Sequence, residues 1–320
     1  MTIGVIGGGA WGTALAQVMA AQEDIILWAR EPEVVAAVND GENRQFLPGV
    51  HLHKRVRATL DLADLQAADL WLVASPAQHL RSVLAAAPLA GKPALVLCAK
   101  GIEAGSLKLM AEVAADVGAG DMAVLSGPTF AGEVARGLPT AVTLACAEGA
   151  LGAALVQRLV RPGFRLYLSD DVTGAEIGGA VKNVLAIGCG VVEGAGLGLN
   201  ARAALIARGF AEMTRFGVAR GARAETLAGL SGLGDLVLTC TSVSSRNFTL
   251  GVGLGRGEKA ADLLATRTVA EGAATAPVLL AAARAVGVDM PISAAIAGLL
   301  AGATLDDTVT ALLTRPLKAE

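Results

Sequence analysis

The sequence predicts an α/β N-terminal domain with a doubly wound, mostly parallel sheet, followed by an all-α C-terminal domain. Three observations predict this architecture. Short apolar runs alternate with helical patterns through the first half, a glycine-rich turn joins the first run to the first helix, and strand patterns end near residue 176. A chain of 320 residues usually forms two domains. We place them at residues 1–175 and 176–320.

The chain begins with a strand, a glycine turn and a helix. Residues 3–6 (IGVI) form a short apolar run typical of a buried parallel strand. Residues 7–12 (GGGAWG) fit the pattern G-x-G-x-x-G, and residues 13–21 are rich in good helix formers. This order is the dinucleotide-binding fingerprint of a Rossmann domain, so the turn predicts a dinucleotide site.

Each glycine has its own predicted part in that turn. Gly7 permits the tight turn, Gly9 lets the backbone approach a pyrophosphate, and Gly12 lets the helix pack closely on the strand. A tight turn without a ligand fits the same letters. A secretory or membrane leader fits poorly, because no Lys or Arg precedes Arg30 and glycines interrupt the apolar run. We therefore expect no membrane span.

Arg30 bears on the choice of cofactor. It follows the predicted strand at residues 25–28, where NAD-binding domains usually carry an acidic residue for the ribose hydroxyls. A guanidinium there can pair with a 2′-phosphate instead, so the sequence favours NADP(H). Pairing of Arg30 with Glu31 or Glu33 is the alternative interpretation, and these carboxylates leave NAD(H) compatible with the sequence.

The alternation of strands and helices continues to about residue 168. Further strands are predicted at residues 56–59, 69–74, 94–98, 122–125, 140–145 and 164–168, with helices at 78–87 and 107–117. Ligands in such sheets bind beyond the carboxyl ends of the strands. Pro76, Lys100 and Gly127 each follow a strand, so we expect them at the edge that carries the glycine turn.

The second half predicts helices, with residues 236–238 as the only segment that could form a strand. Residues 200–216 carry an apolar stripe at helical spacing. Arg208 and Glu212 lie one turn apart on what we expect to be its solvent face. Gly217 stands where a helix C-cap would be.

Lys182 is the only charged residue of residues 177–192 (IGGAVKNVLAIGCGVV). Its helical neighbours three and four positions away are small or apolar. Such a lysine either extends to solvent or serves a site, where desolvation favours the neutral amine needed for proton transfer. The adjacent Asn183 and the preceding cofactor domain favour a catalytic role.

A second cluster occupies residues 229–247 (GLSGLGDLVLTCTSVSSRN). Its hydroxyls, its amide and the guanidinium of Arg246 together suit a phosphate ester. The alternative is an ordinary helix start, with Ser244 or Ser245 as the cap and Arg246 in solvent.

Composition excludes several classes of protein. A net charge of −3 with no basic block gives no reason to expect nucleic acid. The four cysteines, Cys98, Cys146, Cys189 and Cys240, form no C-x-x-C pair, and we expect them reduced and buried in a cytoplasmic protein. His51 and His53 indicate an exposed segment, so we expect no metal site.

Several segments of the chain occur in the same order in one known family. They are GGGAWGTALA, LWAR, AKGIE, SGPTFAGEVARGLPTA, GAVKNVLAI, GLSGLGDLVLTCTS with SRN, and TVAEGAATA. On these segments the chain resembles the bacterial NAD(P)-dependent glycerol-3-phosphate dehydrogenases from end to end. The resemblance implies a Rossmann domain followed by a helical domain, and a cytoplasmic homodimer. It also implies interconversion of glycerol 3-phosphate and dihydroxyacetone phosphate, which supplies phospholipid synthesis.

The resemblance also implies roles for individual residues. Lys182 would exchange a proton with the C2 oxygen of the substrate. Residues implied around the substrate are Lys100, Gly127, Thr129, Lys182, Asp235, Ser245, Arg246 and Asn247. Residues implied around NADP(H) are Gly7, Gly9, Trp11, Gly12, Arg30, Lys100, Ala131, Arg246, Val269 and Glu271. Residues 248–250 (FTL) lack the basic or larger aromatic side chains of many members.

Two other functions compete with this one. A dehydrogenase of the same architecture could act on a hydroxy acid or sugar acid, and would then oxidise such acids. A dinucleotide sensor without catalysis would need the first domain, but neither Lys182 nor the cluster around Asp235 and Arg246.

Overall fold

The computed structural model describes residues 1–91, 93–266 and 270–316. Contacts between residues divide the chain into two compact units. The first comprises Met1–Glu103 and Lys108–Glu176, and the second Ala104–Leu107 and Ile177–Glu320. We call them the sheet unit and the helical unit.

Eight strands of the sheet unit form one sheet. The strands in chain order are β1 (Thr2–Ile6), β2 (Asp24–Trp28), β3 (Glu42–Asn43), β4 (Leu47–His51), β5 (Val56–Thr59), β6 (Leu70–Val73), β7 (Ala94–Leu97), β8 (Met122–Ser126), β9 (Thr140–Ala145) and β10 (Phe164–Ser169). The sheet order is β10-β9-β8-β7-β6-β1-β2-β5, while β3 and β4 form a separate antiparallel pair. Within the large sheet only β8 and β9 are antiparallel, so the predicted doubly wound, mostly parallel sheet is confirmed.

Helices of the sheet unit lie between these strands. They are α1 (Ala10–Met19), α2 (Pro32–Asn39), α3 (Leu80–Ala86), α4 (Met110–Asp116), α5 (Ala131–Ala135) and α6 (Gly149–Leu159). Helix α1 begins three residues earlier than predicted, because Gly9 is its N-cap and accepts the first helical hydrogen bond, from Thr13 N at 3.0 Å. The direction of the chain across the sheet reverses between β1 and β6. Ligands bind at such a switch point in open α/β sheets.

The helical unit contains no strand in its described residues. Its helices are α7 (Val172–Gly194, which begins in the sheet unit), α8 (Gly198–Ala219), α9 (Ala224–Leu227), α10 (Asp235–Cys240), α11 (Arg246–Gly255), α12 (Ala260–Thr266), α13 (Glu271–Ala285), α14 (Pro291–Leu300) and α15 (Leu305–Leu313). The strand considered at residues 236–238 is wrong, because these residues lie within α10. A π-helical turn at Leu230–Gly234 leads directly into α10, so the backbone is helical without interruption from Leu230 to Cys240.

Helix α7 forms the centre of the helical unit and crosses α11 at very short distance. A Cβ at Gly190 would collide with the carbonyl oxygen of Phe248, and one at Gly251 with that of Ile187. Both helices repeat the glycine one turn later, at Gly194 and Gly255, again against backbone of the other helix. Only glycine permits this approach. Among the described residues, α7 alone is long and apolar enough to cross a membrane, but its entire apolar stretch is buried inside the protein.

Two details of α8 differ from the sequence prediction. The helix does not end at Gly217, where a Cβ would lie 2.5 Å from Leu227 Cδ1; the positive φ that favours glycine occurs at Gly221. This glycine therefore serves packing rather than termination.

Glu212 is buried rather than exposed to solvent. Its carboxylate accepts hydrogen bonds from Ile292 N (2.6 Å), Ser293 N (3.1 Å) and Ser293 Oγ (3.0 Å). These N–H groups belong to the first turn of α14, which has no capping side chain of its own. Burial raises the pKa of Glu212, and the N–H and O–H donors oppose that rise. The local pattern of α8 could not reveal a partner eighty residues away.

Candidate active site

The glycine turn, residues 7–12, has the geometry that the fingerprint predicts. Gly7 has φ 114°, and a Cβ there would lie 2.9 Å from the carbonyl oxygen of Ala74 after β6. A Cβ at Gly12 would collide with the carbonyl oxygen of Gly7, so α1 can pack on β1 only with glycine at this position. Gly9 faces open space. The turn therefore suits a pyrophosphate, whose contact with Gly9 stays a prediction.

Two side chains near the glycine turn are candidates for cofactor contacts. Trp11 is half-buried, and its Nε1 has no hydrogen-bond partner among the described residues. Arg30 follows β2 with a 77% exposed side chain, and its Nη2 lies 3.0 Å from Glu31 Oε1. This exposed pair has the geometry of the alternative interpretation of Arg30, but an exposed ion pair contributes only about 0–1 kcal/mol, so a phosphate could displace it.

Lys100, Gly127 and Thr129 are brought together in the sheet unit. Lys100 Nζ and Thr129 Oγ1 both donate to the carbonyl oxygen of Gly127, each at 3.2 Å. Gly127 has φ 150°, and a Cβ there would lie 3.0 Å from Val142 Cα. Ala131 is the first residue of α5. The three residues predicted near the substrate thus share one carbonyl oxygen at the end of β8.

Lys182 lies on α7 with its side chain 8% exposed, and its partners come from α10. Its Nζ donates to Asp235 Oδ1 at 2.5 Å and to Thr239 Oγ1 at 3.0 Å. Thr239 Oγ1 in turn donates to the carbonyl oxygen of Asp235 at 2.6 Å. We call Lys182, Asp235 and Thr239 the lysine cluster. Asp235 is fully buried, so its carboxylate faces the lysine rather than solvent.

Two cysteines lie beside the lysine cluster. Cys240 follows Thr239 and contacts Cys189, and both are free and buried. The hydrogen bond with Cys189, together with burial, raises the pKa of Cys240 well above its ordinary value. The thiol is therefore neutral at physiological pH and unsuited to act as a nucleophile.

Asn183 and Asn247 are also joined. Asn247 Nδ2 donates to Asn183 Oδ1 at 3.0 Å, and Asn247 Oδ1 accepts from Gly272 N at 2.9 Å. Both amides are buried. Because a backbone N–H can only donate, this network fixes which amide atom faces which partner. It links the residue after Lys182 to the starts of α11 and α13.

The remaining predicted residues lie near these helix starts. Ser245 is the N-cap of α11, with its Oγ accepting from Phe248 N at 3.2 Å, and Arg246 is exposed. The capping role considered for Ser245 is therefore present. Glu271 is the first residue of α13. Val269 lies outside the described residues.

Sequence reasoning did not identify the part played by Thr239 in holding Lys182. The signal was present, because Asp235 and Thr239 are four residues apart and therefore share a face if the segment is helical. A strand at residues 236–238, which the sequence also allows, would extend the chain between Asp235 and Thr239 and so separate the two side chains.

Known proteins resemble the chain over nearly its whole length. The family models for the N-terminus and the C-terminus of NAD-dependent glycerol-3-phosphate dehydrogenase match residues 2–151 and 171–310. A glycerol-3-phosphate dehydrogenase (NAD(P)+) of Sphingopyxis alaskensis is 62% identical over 322 residues, which cover 99% of this chain and 97% of the relative. One of Erythrobacter litoralis is 61% identical with the same coverage.

A solved structure gives the same result. The crystal structure of glycerol-3-phosphate dehydrogenase from Coxiella burnetii has a TM-score of 0.93 at 37% identity, covering 98% of this chain and 99% of that chain. The two family models together match most of the sequence, and the relatives share more than 60% of their residues with this chain over nearly its full length. The chain, with its glycine turn and its lysine cluster, therefore belongs to the NAD-dependent glycerol-3-phosphate dehydrogenase family.

Proposed function

We propose that the chain catalyses the NAD(P)-dependent interconversion of sn-glycerol 3-phosphate and dihydroxyacetone phosphate. The observation that carries the proposal is the lysine cluster, a buried amine held by a carboxylate and a hydroxyl in a member of this family. A sensor would not need such a cluster. We assign the dinucleotide fold to residues 1–175 and proton transfer to residues 176–320, and we propose further contacts with both ligands from residues of each part.

A bound nicotinamide cofactor would supply the hydride chemistry at C2 of the substrate, in either direction. In the reductive direction, the Lys182 ammonium donates a proton to the C2 oxygen as negative charge develops there. In the oxidative direction, the neutral amine takes the proton of the C2 hydroxyl. Asp235 stabilises the ammonium and, with Thr239, fixes the direction of Nζ. The family resemblance also implies a direct contact between Asp235 and the substrate, which we keep as a further part of the proposal.

The substrate phosphate is proposed to bind at the start of α11. Arg246 supplies an exposed guanidinium, and the first turn of the helix supplies backbone N–H groups for an anion. The side chains of Ser245 and Asn247 already make hydrogen bonds within the unit, so we assign their part to shaping this turn. Lys100, Gly127 and Thr129 are proposed to contact the substrate from the sheet unit.

The proposed cofactor is NADP(H) in preference to NAD(H). The residues fit a dinucleotide, since Gly9 borders open space and Arg30 offers an exposed guanidinium after β2. Gly7, Gly9, Trp11, Gly12, Arg30, Lys100, Ala131, Arg246, Val269 and Glu271 are the proposed cofactor residues. The partly exposed carboxylate of Glu31 competes for Arg30 and keeps NAD(H) usable.

The deciding experiment measures oxidation of NADPH and, in parallel, of NADH with dihydroxyacetone phosphate as substrate. Turnover that favours NADPH supports both the reaction and the role of Arg30. The variant Arg30→Ala should then lower kcat/KM for NADPH about tenfold or more, through the loss of one charge-assisted contact, and leave NADH unchanged. Absence of turnover with either cofactor, in a protein that still binds NADPH, would contradict the proposed reaction.

We further propose a cytoplasmic homodimer that supplies glycerol 3-phosphate to phospholipid synthesis. The free state of all four cysteines suits a reducing compartment. Light scattering coupled to gel filtration tests the dimer, and a monomeric mass at working concentration would contradict it.

A further inference from the structure

A buried amide holds the glycine turn from outside. Asn43, at the end of β3, is 1% exposed, and its Nδ2 donates to the carbonyl oxygen of Gly8 and to Thr13 Oγ1, both at 2.8 Å. Its Oδ1 accepts from Phe46 N at 3.2 Å. Thr13 Oγ1 also donates to the carbonyl oxygen of Gly8, at 3.3 Å. The carbonyl of Gly8 thus has two donors, neither of them from the turn's own glycines.

The orientation of the Asn43 amide follows from its partners. Phe46 N–H can only donate, so Oδ1 must face it, and the two hydrogens of Nδ2 then face Gly8 and Thr13. Every polar atom of this side chain is satisfied. A buried amide in this position is costly to remove, because its partners would be left without water to replace it.

The contact controls the direction of a neighbouring N–H group. In a planar trans peptide the C=O and N–H bonds point in opposite directions. Because Asn43 and Thr13 donate to the carbonyl of Gly8, the N–H of Gly9 points in the opposite direction, away from these two side chains. This is the N–H that a pyrophosphate on the turn would meet.

The glycine turn cannot fix this direction by itself. Gly8 bears no side chain, and a Cβ there would lie 2.6 Å from the Cβ of Ala29. Consecutive glycines rotate with little steric cost, so the Gly8–Gly9 peptide could turn over if nothing held it. The shorter of the two hydrogen bonds that hold that peptide comes from a residue thirty-five positions further along the chain.

We propose that Asn43 is a positioning residue for the cofactor, which holds the Gly8–Gly9 peptide so that the Gly9 N–H faces the pyrophosphate. The proposal rests on the proposed function, because it concerns the same dinucleotide site. It gives the β3–β4 pair, which the fingerprint does not include, a part in cofactor binding. Asn43 should affect the binding of NADPH and NADH alike, because both cofactors carry the pyrophosphate that the Gly9 N–H would face.

The test compares Asn43→Ala with the wild type by titrating each protein with NADPH and with NADH without substrate, following the fluorescence of the bound nicotinamide. Asn43→Ala should weaken both cofactors by a similar factor, about tenfold or more, since one anion-directed N–H is lost. At saturating cofactor, kcat and the KM for dihydroxyacetone phosphate should stay near wild type. Arg30→Ala, by contrast, should weaken NADPH alone.

The chain offers a matched control and a milder variant. Asn39 also makes two hydrogen bonds with backbone, to Ala58 O (3.1 Å) and from Ala58 N (2.8 Å), away from the glycine turn. Asn39→Ala should lower thermal stability and leave both dissociation constants unchanged. Thr13→Val removes one of the two donors to Gly8 and keeps the side-chain shape, so it should weaken both cofactors by a smaller factor.

The outcomes separate this proposal from the proposed function. Wild-type affinity in Asn43→Ala, or an equal loss in Asn39→Ala, overturns the positioning role while turnover by the wild type still supports the reaction. A wild-type protein that binds neither cofactor overturns both proposals. If Asn43→Ala does not fold, Thr13→Val decides, and unchanged affinity in that variant overturns the positioning role.

Discussion

The glycine turn and the lysine cluster perform different tasks with different parts of the chain. The turn is proposed to bind a phosphate through backbone N–H groups, and Asn43, whose side chain holds the turn, lies outside residues 7–12. The cluster offers one amine, and it is built from side chains on two helices that are distant in sequence. A ligand phosphate can be bound by backbone, whereas a proton must be carried by a titratable side chain.

The difference extends to what the glycines do. In the turn, Gly7 supplies a conformation with φ 114°. In the helical unit, Gly190 and Gly251 have ordinary helical backbone. Their missing side chains allow α11 to pack directly against the backbone of α7. The same residue type therefore shapes the proposed dinucleotide site in one unit and a helix crossing in the other.

The largest expected effect is on catalysis and comes from removing the amine of Lys182. Lys182→Ala should lower kcat about 10²–10⁴-fold, because general acid–base catalysis contributes that much, while cofactor affinity in the sheet unit stays unchanged. Steady-state kinetics and NADPH titration measure the two quantities. Near-normal turnover would remove Lys182 from its assigned role.

The same variant should also lose stability, about 3–5 kcal/mol, because Asp235 stays buried without this cation. The double variant Lys182→Met with Asp235→Leu removes both charges and should recover most of that stability without recovering turnover. The pair thus separates catalysis from folding.

A second change tests the helix crossing. Gly251→Ala should lower the free energy of unfolding by about 1–3 kcal/mol or more, because the new methyl group meets the backbone of Ile187. Denaturant unfolding measures the loss. Gly298→Ala is the matched control, since a Cβ in this part of α14 would meet only Ala303 Cβ at 3.8 Å, and it should stabilise the protein by about 0.5–1 kcal/mol. Equal effects of the two variants would show that the crossing is less close than described.

The smallest expected effect concerns Glu212, a titratable side chain whose carboxylate accepts hydrogen bonds from backbone N–H groups. It therefore combines a feature of the lysine cluster with a feature of the glycine turn. Its pKa in the folded protein is raised above the ordinary value of 4.5 by burial. The folded state therefore binds the proton more tightly than the unfolded state, and this contribution to stability is present at acid pH and lost as the pH rises through the folded pKa. Glu212→Gln should lack that slope. Urea unfolding of both proteins over a pH series measures it, and parallel profiles would contradict the assignment.

The sheet was largely readable from the sequence, and the lysine cluster only in part. Strands β6 and β7 lie within one residue of their predicted bounds at each end, because buried parallel strands are continuous apolar runs that need no knowledge of their neighbours. Lys182 was conspicuous among apolar residues, but its contact with Asp235 spans fifty-three positions and depends on a helix crossing that no local pattern encodes. Glu212 was misjudged for the same reason, since its partners begin another helix.

The burial of α7 also has a consequence for folding during synthesis on the ribosome. The residues that cover it come later in the chain, among them Phe248 against Gly190 and Ile296 against Gly188. A ribosome needs roughly 5–20 s to add the last hundred or so residues before Ile296 emerges. Until Phe248 and then Ile296 are made, the part of α7 around Gly188 and Gly190 lacks these two contacts. We therefore expect this part of α7 to be fully covered only late in synthesis, once the segment around Ile296 has left the ribosome.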